Sequence, residues 1–183
     1  YSSVDFATLA ARYGRMGGYA HLATLVKRYR AERAGRTVLL DGGDALQGSA
    51  TALWSRGEDM LRATNQLGVE VFTPHWEFTH GLDRVRELFG DRETRGLFRG
   101  DFVAHNVTEA AWDEAIFKPY TVRELGDVRV GVIGQAFPYT AVSHPRRFVP
   151  GLTFGIGESR VQTLVDELRR QHEVALVVLL SHN

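Results

Sequence analysis

Short apolar runs alternate with longer amphipathic segments along most of this chain. Apolar residues at helical spacing predict helices over 4–13 and 22–29, near 57–67 and 81–89, and over 158–171. Strand-like runs occupy 37–40, 69–72, 102–107 and 174–180, and a further pair, 120–125 and 128–133, flanks the turn signal Gly126-Asp127. This alternation predicts an α/β layered fold with a largely parallel central sheet and one antiparallel hairpin.

The composition narrows the range of partners. Twenty-two Lys and Arg residues balance 22 Asp and Glu residues, so the chain has no net basic field to attract nucleic acid or an anionic membrane. Its longest apolar run, 174–180, is far shorter than the roughly 20 residues of a membrane-spanning helix. We therefore expect neither nucleic acid nor a membrane as a partner. Because the chain has no cysteine, disulfides, thiolate metal sites and a cysteine nucleophile are excluded.

Three of the predicted strands end close to a residue that can bind a metal ion. Asp44 follows the first strand, His75 the second and His182 the last. In open α/β sheets, ligands bind outside the carboxyl ends of the strands. One carboxylate and two imidazoles suit a divalent cation such as manganese, iron or zinc. The sequence therefore makes this edge of the sheet a candidate metal site.

Each of these residues also has an interpretation without a metal. Asp44 lies in a Gly-Gly-Asp turn, where an Asp side chain commonly hydrogen-bonds its own backbone. His75 stands beside aromatic residues and could be a packed core histidine, and His182 could mark the end of a buried strand. Their joint occurrence at three strand ends is what favours a metal site.

Three further polar residues are left open by the sequence. His80 lies five residues after His75 and could be a ligand, although a loop or helix-cap position is the simpler interpretation. His105 and Asn106 end another predicted strand and could reach the site. No dinucleotide-binding fingerprint, nucleophile elbow or phosphate-binding P-loop is present.

Longer motifs resemble the calcineurin-like metallophosphoesterases, and especially their 5′-nucleotidase branch. Segment 41–49 resembles the Gly-Asp-x-x-x-Gly block of that family. Segment 75–78 falls where the branch carries Gly-Asn-His-Glu-Phe-Asp, and 181–183 falls where it carries a histidine ligand. The order and the separations agree as well. The resemblance implies a layered fold with central, mostly parallel or mixed sheets flanked by helices.

The second motif departs from the nucleotidase pattern. Alignment on Glu77-Phe78 places His75 at the position of the Asn ligand, Trp76 at the following His and Thr79 at an Asp. In the branch, that His-Asp pair stabilises charge in phosphoryl transfer. A site in which Trp76 and Thr79 replace the pair should expel a nucleoside alkoxide poorly, since a positioned acid typically contributes about 10²–10⁴-fold.

Segment 75–79, His-Trp-Glu-Phe-Thr, resembles the SoxB-type thiosulfohydrolases of bacterial sulfur oxidation, as do segments 17–28, 47–54 and 134–140. The resemblance implies a periplasmic enzyme with two divalent metal ions, manganese being expected. Its implied reaction is the release of sulfate from a cysteine S-thiosulfonate on the carrier protein SoxYZ. The alternatives are a 5′-nucleotidase-like phosphoesterase and a catalytically inactive binding module of the same fold.

The resemblance also implies parts that lie outside residues 1–183. Carried over to this chain, Asp44 bridges both metals, while His75 and His182 bind the second. An Asp-x-His motif is expected before Tyr1, and a Gly-His-x-His motif and a substrate domain after Asn183. We therefore expect an internal fragment, namely a partial N-terminal metallophosphoesterase domain that lacks a signal peptide and is inactive alone.

Overall fold

The computed structural model describes residues 6–14 and 17–182. It divides the chain into two compact units, Tyr1–Thr37 and Val38–Asn183. The first unit contains the helices α1 (Phe6–Tyr13) and α2 (Tyr19–Glu32), which match the first two predicted helices. Two residues of the predicted motifs, Val4 and Asn183, lie outside the described residues.

The second unit alternates helices with short strands. Its helices are α3 (Ala50–Ser55), α4 (Glu58–Leu67), α5 (Leu82–Phe89), α6 (Thr140–Ser143) and α7 (Glu158–Gln171), with 3-10 turns at Glu77–His80 and Arg146–Phe148. Its strands are β1 (Leu40–Asp41), β2 (Val71–Phe72), β3 (Asp101–Phe102), β4 (Thr108–Glu109), β5 (Tyr120–Leu125), β6 (Val128–Gln135), β7 (Leu152–Thr153) and β8 (Leu176–Ser181). Across the described part of the chain, the helices lack the length and apolar character needed to cross a membrane.

Two three-stranded sheets form the centre of this unit. The first has the order β1-β2-β3 and is parallel throughout, with Leu40 opposite Val71 and Val71 opposite Asp101. The second has the order β5-β6-β8, in which β5 and β6 form the predicted antiparallel hairpin and β8 runs parallel to β6. A small antiparallel pair joins β4 to β7. The predicted α/β fold with parallel and mixed sheets is confirmed.

The two central sheets bury one apolar layer between them. Val71 and Val103 come from the side of the first sheet, and they pack with Val130 and Val132 of β6. A second cluster, which includes Ile133 and the fully buried Leu168, packs α7 against β6 on its other side. The resulting order is helix, sheet, sheet, and it positions the strand ends that carry the candidate ligands.

Several strands differ from their predicted bounds. The run 102–107 is buried over its whole length, but only its start pairs within the first sheet, as β3. Beyond β3, the N–H of Ala104 donates to Lys118 O and the N–H of His105 donates to Gly134 O, so the chain crosses to the second sheet. A strand-like pattern predicts that a segment is buried, but it does not show which backbone groups its N–H and C=O groups pair with. The predicted strand was therefore too long.

Helix α3 was not predicted from the sequence. Its N-cap is Ser49, whose hydroxyl accepts the N–H of Ala52 at 3.1 Å. A Ser at the N-cap is a recognised start signal, but the six-residue helix is too short to show a clear apolar period. The strand predicted over 37–40 was also wrong in part, because only Leu40–Asp41 pairs as a strand.

Replacing Leu168 with Ala should destabilise the second unit by about 2–5 kcal/mol, because the cavity left beneath β6 cannot collapse. The packing is tight there: a Cβ added to Gly131 would lie 2.9 Å from Leu168 Cδ1. Chemical denaturation would measure the change, with Leu53→Ala as the control at an exposed position. Equal stabilities for the two variants would contradict the assigned core.

Candidate metal centre

Asp44 lies on a tight loop that follows β1. Its backbone φ is 66°, in the left-handed region that Asp enters more readily than most residues. Gly43 has a φ of 89°, and a Cβ there would lie 2.6 Å from both Thr73 O and His75 N. Only glycine therefore allows this close approach, which brings Asp44 to the loop that carries His75.

His75 is buried at the end of the segment that follows β2. Its Nδ1 lies 3.8 Å from Asp44 Oδ2 and has no hydrogen-bond partner among the described residues. Burial, and then the nearby His182, lower the pKa of His75 to about 4, against the opposing effect of Asp44. The imidazole is therefore neutral near pH 7, which is the form that binds a metal ion.

His182 follows β8 and stacks on His75. The two ring centroids are 3.9 Å apart and the rings are 16° from parallel. His182 Nδ1 lies 3.1 Å from Gly42 O, and because a carbonyl oxygen only accepts, Nδ1 carries the proton. That tautomer leaves Nε2 with a free lone pair, as in many metal-binding histidines.

These three residues, predicted from separate strand ends, come together in the structure. One ligand atom from each of Asp44, His75 and His182 can be chosen so that all three lie within 4.8 Å of one another. Gln47 Nε2 donates to Asp44 Oδ1 at 2.6 Å, which orients the carboxylate. A carboxylate, two imidazoles and a buried nitrogen without a partner fit a divalent cation of the borderline type.

Glu77 is a buried carboxylate beside the candidate ligands, and the sequence analysis gave it no role. It is 1% exposed, and its two carboxylate oxygens each accept one backbone N–H, from Ala45 at 3.0 Å and from His75 at 2.6 Å. Burial raises the pKa of Glu77 to about 7, while the two N–H donors act in the opposite direction. This carboxylate ties the Asp44 loop to the His75 loop. The sequence signal that could have pointed to Glu77 is its position two residues after the candidate ligand His75.

The residues that the sequence left open make other contacts. His80 Nε2 lies 3.2 Å from Leu46 O, and His105 Nε2 lies 3.5 Å from Gln135 Oε1. Asn106 donates to Ala136 O and to Gly155 O. None of the three joins the ligand group among the described residues, and their contacts hold loops together.

Trp76 and Thr79 both contact a histidine that the sequence analysis did not single out. The Trp76 ring lies 4.4 Å from the ring of His144, and Thr79 Oγ1 lies 3.2 Å from His144 Nε2. His144 is buried and follows α6, far along the chain from the ligand loop. The fold, and not closeness along the chain, brings His144 to Trp76 and Thr79.

The fold is that of the calcineurin-like metallophosphoesterases, and Asp44, His75 and His182 form a possible metal site on it. A calcineurin-like phosphoesterase from Bacillus subtilis, YfkN, superposes with a TM-score of 0.73 over 91% of this chain and 54% of its own, at 21% identity. No model of a known protein family matches the chain. The resemblance inferred from the sequence is confirmed at the level of this fold.

The chain is also similar to SoxB and to 5′-nucleotidases. The Thermus thermophilus sulfate thiohydrolase SoxB superposes with a TM-score of 0.86 at 38% identity, over 98% of this chain and 32% of SoxB. A 5′-nucleotidase of Vibrio cholerae serotype O1 is 22% identical over 175 residues, which are 93% of this chain and 30% of the relative. The chain thus spans about a third of the length of these proteins.

Substituting Glu77 with Gln should weaken divalent metal binding by about 10- to 100-fold, a typical effect of losing a group that orients metal ligands. The substitution leaves one acceptor oxygen and turns an NH₂ group towards a backbone N–H, so one of the two ligand loops is released. Titration calorimetry with Mn²⁺ on the protein from the complete reading frame would measure it. Glu87→Gln, on the exposed face of α5, is the control, and equal affinities would contradict the assigned role of Glu77.

Proposed function

We propose that this chain supplies part of the metal centre of a SoxB-type hydrolase, which releases sulfate from a cysteine S-thiosulfonate on the carrier SoxYZ in the periplasm. One observation carries the proposal: Asp44, His75 and His182 converge beside a loop on which Trp76 and Thr79 replace the nucleotidase His-Asp pair. The similarity to SoxB over nearly the whole chain supports it.

The residues of the site suit two divalent cations, for which we propose manganese. Two such ions would supply Lewis-acid polarisation of the sulfonate oxygens and a hydroxide nucleophile at neutral pH. We propose that Asp44, whose Oδ1 accepts a hydrogen bond from Gln47, would hold the ions together with His75 and His182. The remaining ligands and the substrate domain are proposed to lie outside residues 1–183.

The leaving group decides between a thiosulfohydrolase and a nucleotidase. In the proposed reaction, a bond forms between the water oxygen and the sulfonate sulfur, and the sulfur–sulfur bond breaks. The electron pair stays on the carrier as a persulfide anion, and sulfate and two protons are released. Because even a simple thiol has a pKa of about 8.5, a sulfur anion leaves with little help from an acid.

A nucleoside alkoxide makes a different demand on the site. It is far more basic than a sulfur anion, so its departure depends on a positioned proton donor. Trp76 offers only an indole N–H and Thr79 has no carboxylate, so these two positions cannot act as the nucleotidase pair does. This difference favours sulfate release. The match to the Vibrio cholerae 5′-nucleotidase makes nucleotide hydrolysis the second candidate function.

A catalytically inactive binding module is the third alternative, and the site geometry counts against it. A module without metals has no need for two stacked imidazoles beside a carboxylate, or for a buried carboxylate that joins the two loops.

Sulfate release from thiosulfonate-loaded SoxYZ should depend on added manganese and should be lost in His75→Ala. The test uses the protein from the complete reading frame, with nucleotide hydrolysis measured beside sulfate release. His21→Ala, on an exposed helix of the first unit, is the matched histidine control and should keep full activity. Nucleotide hydrolysis without sulfate release would overturn the proposal in favour of the second candidate.

The double variant Trp76→His, Thr79→Asp should gain nucleotide hydrolysis by about 10²-fold or more, because it restores a proton donor and its carboxylate partner. Sulfate release should not rise with it, since its leaving group needs no such donor. Steady-state kinetics on both substrates would measure the change. Unchanged nucleotide hydrolysis, with metal content preserved, would show that these two positions do not set the leaving group.

A further inference from the structure

The ligand loop that carries His75 is held from outside by segment 137–144. At the start of that segment, the N–H of Phe137 donates to Pro74 O at 3.2 Å, and the Phe137 ring lies 4.6 Å from the ring of His75. At its end, His144 Nε2 lies 3.2 Å from Thr79 Oγ1. The two attachments bracket the loop at residues 74 and 79.

The segment itself is internally braced. Thr140 is fully buried, and its hydroxyl donates to Phe137 O at 2.7 Å. The N–H of His144 donates to Thr140 O at 2.9 Å, which ends the short helix α6 at this histidine. His144 is 4% exposed, so its ring has little freedom to move. The position of the imidazole is therefore fixed from within its own segment.

Trp76 lies between the two attachment points and rests on His144. The ring centroids are 4.4 Å apart with an angle of 44° between the planes. Burial lowers the pKa of His144, so a neutral ring faces the indole. An aromatic contact of this kind contributes about 0.5–1.5 kcal/mol beyond the area that it buries. The indole is thus seated on an imidazole that is itself held by Thr79.

We propose that His144 is a positioning residue, which acts with Thr79 to hold the Trp76 indole as a rigid wall of the metal site. If the proposed function holds, this wall contributes to the choice of leaving group and favours a sulfur anion over an alkoxide. His144 acts through Trp76 and needs no contact with the substrate. Displacing the indole admits water and loosens substrate placement, and an error of about 1 Å in placement can cost 10²-fold in rate.

Two substitutions of His144 test whether its hydrogen bond to Thr79 is what matters, because both remove the imidazole ring and only one can keep that bond. Gln places its amide close to the position of Nε2 and can keep the contact with Thr79, whereas Asn is too short to reach it. Thr79→Val removes the same hydrogen bond from the other side with little change in shape. His105→Asn is the control, because His105 is also buried and its Nε2 lies 3.5 Å from Gln135 Oε1, not from Thr79.

The first readout is fluorine NMR of the fluorotryptophan-labelled protein from the complete reading frame, with the Trp76 resonance assigned through Trp76→Phe. His144→Asn and Thr79→Val should broaden or split that resonance because the indole loses its fixed position, while His105→Asn should leave it sharp and in place. His144→Gln removes the imidazole ring current and so moves the line, but it should keep the line sharp and single. A resonance that stays sharp and single in both His144→Asn and Thr79→Val would overturn the positioning role. If His144→Asn does not fold, Thr79→Val alone decides.

The second readout is the ratio of kcat/KM for sulfate release to kcat/KM for nucleotide hydrolysis. This ratio should fall roughly tenfold or more in His144→Asn and Thr79→Val and stay near the wild-type value in the other two variants. If the Trp76 resonance broadens in His144→Asn and Thr79→Val but the ratio of the two kcat/KM values stays unchanged, the role in leaving-group choice is overturned. Absence of sulfate release in the wild type would overturn the proposed function instead, and the fluorine spectra would still decide whether His144 positions Trp76.

Discussion

The approach of the Gly43 backbone to Thr73 and His75 is the contact on which the candidate site depends. No side chain fits there, so the loop after β1 lies directly against the loop after β2. Glu77 then fixes that contact by accepting one N–H from each loop. A single buried carboxylate thereby holds two candidate metal ligands in register. The low polarity of its surroundings strengthens both hydrogen bonds, since little water competes for them.

The third candidate ligand reaches the site through packing of the two sheets. β8 belongs to the sheet of β6, and β1 and β2 belong to the other sheet, so no backbone ladder joins His182 to Asp44. The shared apolar layer, with Val71 on one side and Val132 on the other, brings the two edges together. The contact of His182 with Gly42 O then closes the gap. The geometry of the site therefore depends on the core as much as on the loops.

Much of the architecture follows from local patterns. The long helices α4 and α7 and the hairpin around Gly126 were predictable, because apolar spacing and turn chemistry act within a few residues. The ends of strands were predicted less well. Residues 103–105 are as buried as a central strand, yet their N–H groups bond to different neighbours in turn, which only the packing of distant segments determines. Short helices such as α3 and α6 show too few turns for a period to appear.

By itself the sequence determined the α/β class and made Asp44, His75 and His182 candidate ligands, because each follows a strand and parallel strands end at a common edge. Tertiary structure alone decided what surrounds them. The role of Glu77 depends on two N–H groups from separate loops, and the contact of His144 with Thr79 joins residues 65 positions apart. Such partners are brought together by packing between elements, and no local period or spacing encodes that packing.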